Sequence, residues 1–351
     1  MKISIISVTE QGRALSEKLA SLLGEEFETE RYCFKKHSDD NSNKFTKIGW
    51  ITSRLFPQTD ALVFVCSCGI AVRTIAPLVS SKAADPAVVV VDDAGKFSIP
   101  ILSGHFGGAN GLSEIIAQKI GAAAVITTAT DIRGRFSPDS FARANRLLLS
   151  DFSAAKEIAA AVLNDEKIGL VCDFPYKNLP FEIVEMKEKK ASQPLCRTGI
   201  CISADPLRKP FEVTLNLIPK NFVLGIGCKK NTTCAEIEKH VFLTMQKEGI
   251  NGRRVCAVAS IDIKAKEPGL VEFCEKFNLP FKTFSAAELM EARGEFSSSK
   301  FVLAKTGADN VCERSAVRYG GSLILKKRSS DNVTAAVAEI PFEVDFERKF
   351  P

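Results

Sequence analysis

The sequence predicts an α/β protein: two α/β domains with open, mostly parallel sheets, joined by a small α+β middle module. Three observations carry this. Short apolar runs suited to buried strands alternate with helix-period segments over residues 1–135, and again over 221–351. Between them, residues 136–220 change character, to alanine- and leucine-rich helical segments and then short apolar runs split by Pro- and Lys-rich turns. In the stretch Cys66–Asp131, finally, the apolar runs end in segments dense in Gly, Arg, Lys, Asp and His. That is the layout of an open sheet with a ligand crevice outside the carboxyl ends of its strands.

Taken in order, residues 2–8 read as a buried strand and Thr9–Gly24 as a helix with Leu15, Leu19, Leu22 and Leu23 on one face, Gly24 standing where a C-terminal cap is favoured. A strand around Arg31–Phe34 and a polar loop, His37–Asn43, follow; His37 is expected to be a solvated surface residue. Phe45, Ile48, Ile51 and Leu55 recur at helical spacing up to Pro57. Ala61–Cys66, Ala87–Asp92, Phe97–Leu102 and Ala123–Thr127 are strands, the third delivering SGHFGGAN into a helix. In the middle, helices are expected at Ser137–Ser150 and Ser153–Asn164, and strands at Ile168–Cys172, Phe181–Val184, Ile200–Ser203 and Glu212–Ile218. From Phe222 a strand ends in Gly225-Ile-Gly227-Cys228-Lys229-Lys230, and capping boxes at Thr233-x-x-Glu236 and Ser285-x-x-Glu288 open helices. Further helices are read at Gly269–Phe277 and Val311–Tyr319, with strands at Arg254–Ile261, Phe281–Phe284, Leu323–Lys327 and Thr334–Ile340. An exposed linker at Lys220-Asn221 is expected to divide the chain into two separately folding parts.

Composition narrows the function classes. A net charge of +5 over 351 residues is compatible with an anionic ligand but lacks the basic stripe of nucleic-acid binding. No apolar run approaches a membrane span, and residues 2–8 do not read as a signal peptide. Eleven cysteines, an odd number with no C-x-x-C framework, are expected to stay reduced in a cytoplasm. Cys66-Ser-Cys68 is the one close pair and lacks zinc spacing; with three histidines, a protein-held transition metal is not expected.

The chemistry-bearing segments are few. In SGHFGGAN, glycines 104, 107 and 108 leave backbone N–H groups uncovered at a helix start, where anions are favoured, and His105 between Ser103 and Asn110 is able to cycle a proton near pH 7. The alternative is a glycine turn needed for tight packing, with His105 capping a carbonyl. In GIAVR, Gly69 turns the chain and Arg73 offers a carboxylate fork; Lys82 and Asp85 precede Pro86, as further anchors or as a surface ion pair. TTATD brings Thr128 and Asp131 to a strand end, as site groups or as a plain turn. GIGCKK is half a dinucleotide fingerprint whose third glycine is missing; a carboxylate cradle of Gly225, Gly227 and Lys229 or Lys230 suits it better. Cys228 beside a helix start has the place of a nucleophile, but no histidine is close in sequence.

Together, GIAVR, DPAVVVVDDAGKFSIPILSGHFGGAN, VITTATD, LGIGCKK and GADNVCERSAV resemble the cobalamin biosynthesis family called CbiG, over the whole chain. Cys66 and Cys68 depart from it, standing where small apolar residues are usual, as does Ser315 after Cys312-Glu313-Arg314. The resemblance implies a cobalt-precorrin-5A hydrolase of the anaerobic route, which opens the ring A δ-lactone and releases a two-carbon fragment as acetaldehyde to give cobalt-precorrin-5B. It implies as substrate a cobalt-bearing corrin precursor fringed with acetates and propionates. The cobalt arrives with the substrate, so no cofactor is expected, while contacts with neighbouring methyltransferases of the pathway are. On that footing His105 is the candidate base, with Ser103 and Asp131 beside it in the catalytic set. The N–H groups of 104–108 are candidate oxyanion donors, and Arg73, Lys82, Lys229 and Lys230 candidate carboxylate holders. Two other readings stand against it: a non-catalytic carrier of corrinoid intermediates, and a nucleotide-binding α/β protein.

Overall fold

The structure, a computed structural model, describes residues 1–81, 84–104, 107–128, 135–186 and 196–348. The first module contains β1 (Lys2–Ser7), α1 (Glu10–Leu23), β2 (Glu28–Phe34), β3 (Asn43–Phe45), α2 (Ile48–Leu55), β4 (Ala61–Val65) and α3 (Cys68–Ile75). β5 (Ala87–Val91), β6 (Phe97–Leu102), α4 (Ala109–Ile120) and β7 (Ala123–Ala124) complete it. The strand order is β3-β2-β1-β4-β5-β6-β7. Side chains alternate across the sheet, as a period of two requires. Ile3, Ile5, Val63 and Val65 pack under α1 and α4 with Leu19, Leu23, Leu112 and Ile116, whereas Leu62 and Phe64 face Ile51, Leu55 and Ile75 of α2 and α3.

All pairings in this sheet are parallel except β5–β6, a hairpin. Its turn is held by the Asp92 carboxylate, which accepts from the N–H groups of Lys96 (2.8 Å) and Phe97 (2.7 Å), with Gly95 at a φ of +66°. The hairpin reverses β6, and this decides where the glycine-rich motif falls. Smaller differences from expectation follow local packing: Phe45 lies in the edge strand β3 rather than on a helix, and β7 is only two residues long.

The middle module contains α5 (Pro138–Ala144), β8 (Leu147–Leu149), α6 (Phe152–Leu163), β9 (Ile168–Cys172), β10 (Tyr176–Lys177), β11 (Ile183–Glu185), β12 (Thr198–Ile202) and β13 (Val213–Pro219). The helix expected to run to Ser150 stops at Ala144. Arg146, in the left-handed region at φ +53°, turns the chain, and the three leucines that follow form a strand antiparallel to β13. Three consecutive leucines cannot share one helix face, but in a strand between α5 and α6 they pack with Leu147 and Leu149 buried. β11, β9, β12 and β13 run parallel, so this module is itself a small, mostly parallel sheet rather than a segregated α+β unit.

The third module contains β14 (Phe222–Cys228), α7 (Cys234–Lys247), β15 (Val255–Ile261), α8 (Pro268–Lys276), β16 (Phe281–Phe284) and α9 (Ala286–Met290). It continues with α10 (Lys300–Thr306), α11 (Cys312–Arg318), β17 (Ser322–Ser329) and β18 (Val333–Glu339), in the order β16-β15-β14-β18-β17. Both capping boxes form, at Thr233/Glu236 and Ser285/Glu288. The chain then leaves this sheet: β19 (Val344–Asp345) pairs in parallel with β10, and Val344 is buried in the middle module's core beside Phe342 and Phe346. The expected linker is no open joint either. Asn221 is buried, accepting from Arg254 Nη2 (2.8 Å) and donating to Glu339 Oε1 (3.0 Å), while Lys220 N–H donates to Arg146 O. Among the described residues no helix is long and apolar enough to cross a membrane.

Candidate functional site

Two polar clusters emerge, on different modules. The first gathers where β6 ends. Because β6 runs against β5, SGHFGGAN lies beside the start of β5, the end of the sheet opposite the carboxyl ends of β1, β4 and β5. The single crevice expected for Cys66–Asp131 is therefore split. Cys66 and Cys68 stay at the carboxyl end of β4, while Ser103 reaches the segment before β5, its Oγ donating to Asp85 O (3.1 Å). The Asp85 carboxylate accepts from Ser80 N–H (3.0 Å) and Ser80 Oγ–H (2.8 Å), so it braces this loop and is spent on protein donors. Asn110, in the first turn of α4, donates from Nδ2 to Thr128 Oγ1 (2.7 Å), which brings Thr128 beside the start of α4.

The turn is unusually tight. Ser103 adopts φ +55° and Gly108 φ +81°. A Cβ on Gly107 would stand 2.2 Å from Ser103 Cβ and one on Gly104 2.7 Å from Asn110 Oδ1. Gly107 and Gly108 are buried, and the N–H groups of Ala109 and Asn110 are taken by Ser103 O (3.1 Å) and Gly104 O (3.0 Å). These two glycines therefore shape the turn instead of facing a ligand; the partly exposed edge is Ser103, Gly104, Asn110 and Thr128. Lys82, His105 and Asp131 lie outside the described residues. Gly69 is an exposed member of the first turn of α3 rather than a turn glycine, and Arg73 is exposed in its last turn.

The second cluster surrounds a cavity of about 540 Å³ at the carboxyl ends of β14 and β15 and the start of β18. Here a crevice lies outside the strand ends, as open α/β sheets favour. Gly227, Cys228, Lys229 and Lys230 line it. Gly225 does not: a Cβ there would stand 1.8 Å from Cys312 O, so this glycine lets α11 lie against β14. Gly227 likewise accommodates Thr334, whose Oγ donates to Gly227 O (3.2 Å). Burial pushes the Cys228 thiol up, against a partial pull from Lys264, the opposite of what a thiolate nucleophile needs. Cys66, with burial the main cause, is pushed up to about 12.

Sequence reasoning missed Lys264, Lys305 and Lys327, which also line this cavity. Lys264 pairs with Glu267 (2.7 Å), whose other oxygen accepts from Asn231 N–H (2.6 Å), fixing the loop after Lys230. Against the cost of burial, these partners hold Glu267 below the usual carboxylate range. From behind the wall, wholly buried Glu313 accepts from Ser297 N–H (2.7 Å) and Oγ–H (2.9 Å), Asn310 Nδ2 (2.8 Å) and Lys327 N–H (2.6 Å). The segment GADNVCERSAV is thus the scaffold of the cavity. Its Asp309 and Arg314 form a paired ion contact at 2.6 and 3.2 Å, and Asn310 and Glu313 bind one another. Among the described residues, no group of three or more His, Cys, Asp or Glu side chains is placed to hold a metal ion.

A tight glycine turn on one sheet and a lysine-lined crevice on another mark a multi-module α/β protein with two separate polar clusters. Residues 51–131 match the family profile described as Cobalamin synthesis G N-terminal, 136–219 the Cobalamin biosynthesis central region, and 222–338 the Cobalamin synthesis G C-terminus. The chain is 30% identical over 357 residues to the cobalt-precorrin-5A hydrolase of Priestia megaterium, covering 97% of this chain and 95% of that protein. It is 32% identical over 327 residues to the protein of the same name from Salmonella typhimurium, covering 88% and 89%. The crystal structure of a cobalamin biosynthesis protein G homologue from Sulfolobus solfataricus matches over 96% of this chain and 97% of that one, with 24% identity and a TM-score of 0.45. The chain belongs to the cobalamin biosynthesis G (CbiG) family.

Proposed function

We infer that this chain is a cobalt-precorrin-5A hydrolase of anaerobic cobalamin biosynthesis, opening the ring A δ-lactone and releasing acetaldehyde. The observation that carries this is identity of 30% and 32%, over most of the chain, to two proteins of that name. Neither the carrier reading nor the nucleotide reading is favoured by these relatives. Against the latter, both glycines of GIGCKK are occupied by close packing, so no phosphate cradle is open there.

In this reading water attacks the lactone carbonyl while His105 takes its proton, and the alcohol freed from the ring-opened ester is deprotonated for the carbon–carbon cleavage that releases acetaldehyde. Ser103, held at φ +55° with its Oγ on Asp85 O, and Asp131 orient these steps. Arg73, Lys82, Lys229 and Lys230 hold the acetate and propionate fringe, Arg73 through its planar fork. The enzyme needs no cofactor of its own. It works in the cytoplasm, in contact with the pathway's methyltransferases.

The test is acetaldehyde release from cobalt-precorrin-5A by the full chain under anaerobic conditions, expected in a one-to-one ratio with ring opening. Recovery of the bound macrocycle with its lactone intact would sink the hydrolase and leave the carrier.

A further inference from the structure

We propose that the cavity of the third module is a rim-binding site for a tetrapyrrole polycarboxylate, stacking an edge of the ring on Phe301 and reading its carboxylates with lysines from three separate segments. The identity of the natural ligand rests on the function inferred above; the charge and shape of the site do not.

Among the described residues lining the cavity, five are lysines and none is an aspartate or glutamate. The lysines come from the loop after β14 (Lys229, Lys230), the turn after β15 (Lys264), α10 (Lys305) and β17 (Lys327). Lys264 is already held by Glu267, whereas Lys229, Lys230 and Lys327 form no ion pair among the described residues. Charges so dispersed suit carboxylates spread around a wide ring. A single phosphate would ask for donors converging on one point.

The apolar half of the argument is the mouth. Phe301 is 68% exposed and Ile263 63% exposed, both on the cavity wall. Large apolar side chains left in water beside an apolar cavity mark a surface that a ligand covers. Lys305 Nζ lies over the Phe301 ring, 4.7 Å from its centre, so one helical turn carries an aromatic ring with a cation over one of its faces. The opposite wall is fixed, because Glu313 binds Asn310 and the Lys327 backbone from the buried side. A flat ring with a charged fringe matches this arrangement better than either a purely apolar or a purely anionic ligand does.

Uroporphyrin I, an eight-carboxylate tetrapyrrole without a lactone, is the probe, titrated into the full chain by fluorescence quenching. Phe301→Ala is expected to weaken binding about tenfold, the value of one aromatic stack. Lys305→Gln and Lys327→Gln should each weaken it about two- to fivefold, with losses that shrink as salt rises. Lys300→Gln, a charge on the same helix outside the cavity, should leave affinity unchanged. Phe301 and Lys305 are surface residues, so unfolding temperatures of their variants should match the parent's. Unchanged affinity in Phe301→Ala would overturn the proposal. So would Lys300→Gln costing as much as Lys305→Gln, or displacement of the probe by equal tricarballylate, an open-chain polycarboxylate. Because the probe carries no lactone, loss of the acetaldehyde assay leaves this result standing, and loss of probe binding leaves the hydrolase reading standing.

Discussion

Replacing Phe346 with alanine should destabilise the middle module selectively, although Phe346 follows the third module in sequence. Its ring is stacked on Phe141 with centroids 4.5 Å apart and planes at 17°, and meets Tyr176 edge-on at 6.2 Å. Burying and then deleting a phenylalanine costs about 3–5 kcal/mol when it is fully enclosed. Phe346 is only partly buried, so about 2–3 kcal/mol is expected. The backbone beside it is clasped by buried Asn145, which donates to Asp345 O (2.9 Å) and accepts from Asp345 N–H (2.8 Å), so the strand itself stays docked when the ring is removed. Hydrogen exchange read by mass spectrometry resolves the modules. Peptides covering Leu147–Leu149 and Ile168–Cys172 should exchange about 30- to 150-fold faster, the factor that about 2–3 kcal/mol implies. Those covering Ala61–Val65 and Phe222–Cys228 should not change. An equal acceleration in Phe222–Cys228, or none in the middle module, would refute the assignment of this tail to the middle core.

Further expectations concern the two clusters and an acid-sensitive pair. His105→Ala should lower acetaldehyde release by about 10²–10⁴-fold with macrocycle affinity nearly intact, as separate turnover and binding assays would reveal. Gly107→Ala forces a Cβ to within 2.2 Å of Ser103, so it should abolish turnover while exchange in the second and third modules stays as in the parent. Glu313→Ala strands four donors in a buried setting and should cost the third module at least about 3 kcal/mol, read from its urea midpoint. Burial works to raise the Asp39 carboxyl, but hydrogen bonds from Arg31, Ser42 and Arg13 outweigh it and bring it down to about 2. Its folded value thus lies below its unfolded one, so its contribution is present above about pH 4 and is lost as pH falls toward 2. Asp39→Asn should flatten the pH dependence of the first module's urea midpoint between about pH 4 and 2.

What was legible in the sequence was what local chemistry decides. β4, β5 and β14 are strands because nearly every position in them is apolar and buried from both faces, and the capping boxes announced α7 and α9. SGHFGGAN and GIGCKK stood out through their glycines, and Asn110 does meet Thr128. Which end of the sheet a motif occupies depends instead on strand direction, and the reversal at Asp92–Phe97, a short Asp- and Gly-containing turn between two apolar runs, is a hairpin signal that went unread. The cavity lysines were hidden for another reason. Lys264, Lys305 and Lys327 lie on three separate elements, and a lone lysine in sequence reads as solvated surface. α10 is seven residues opened by a plain serine cap, too short to declare a period, yet it supplies both Phe301 and Lys305.

The return of β19 to the middle sheet also bears on how the chain folds while it is being made. Val344 leaves the ribosome about 170 residues after Cys172, on the order of ten to thirty seconds later at typical synthesis rates. Until then the rings of Phe136 and Phe141 have no Phe346 to cover them, and β10 has no partner strand. The first and third modules close on segments synthesised close together, whereas the second waits for the translation of the third. The middle core is therefore completed only after the third module has been made, and during that interval Phe136 and Phe141 of the nascent middle module lack their Phe346 cover.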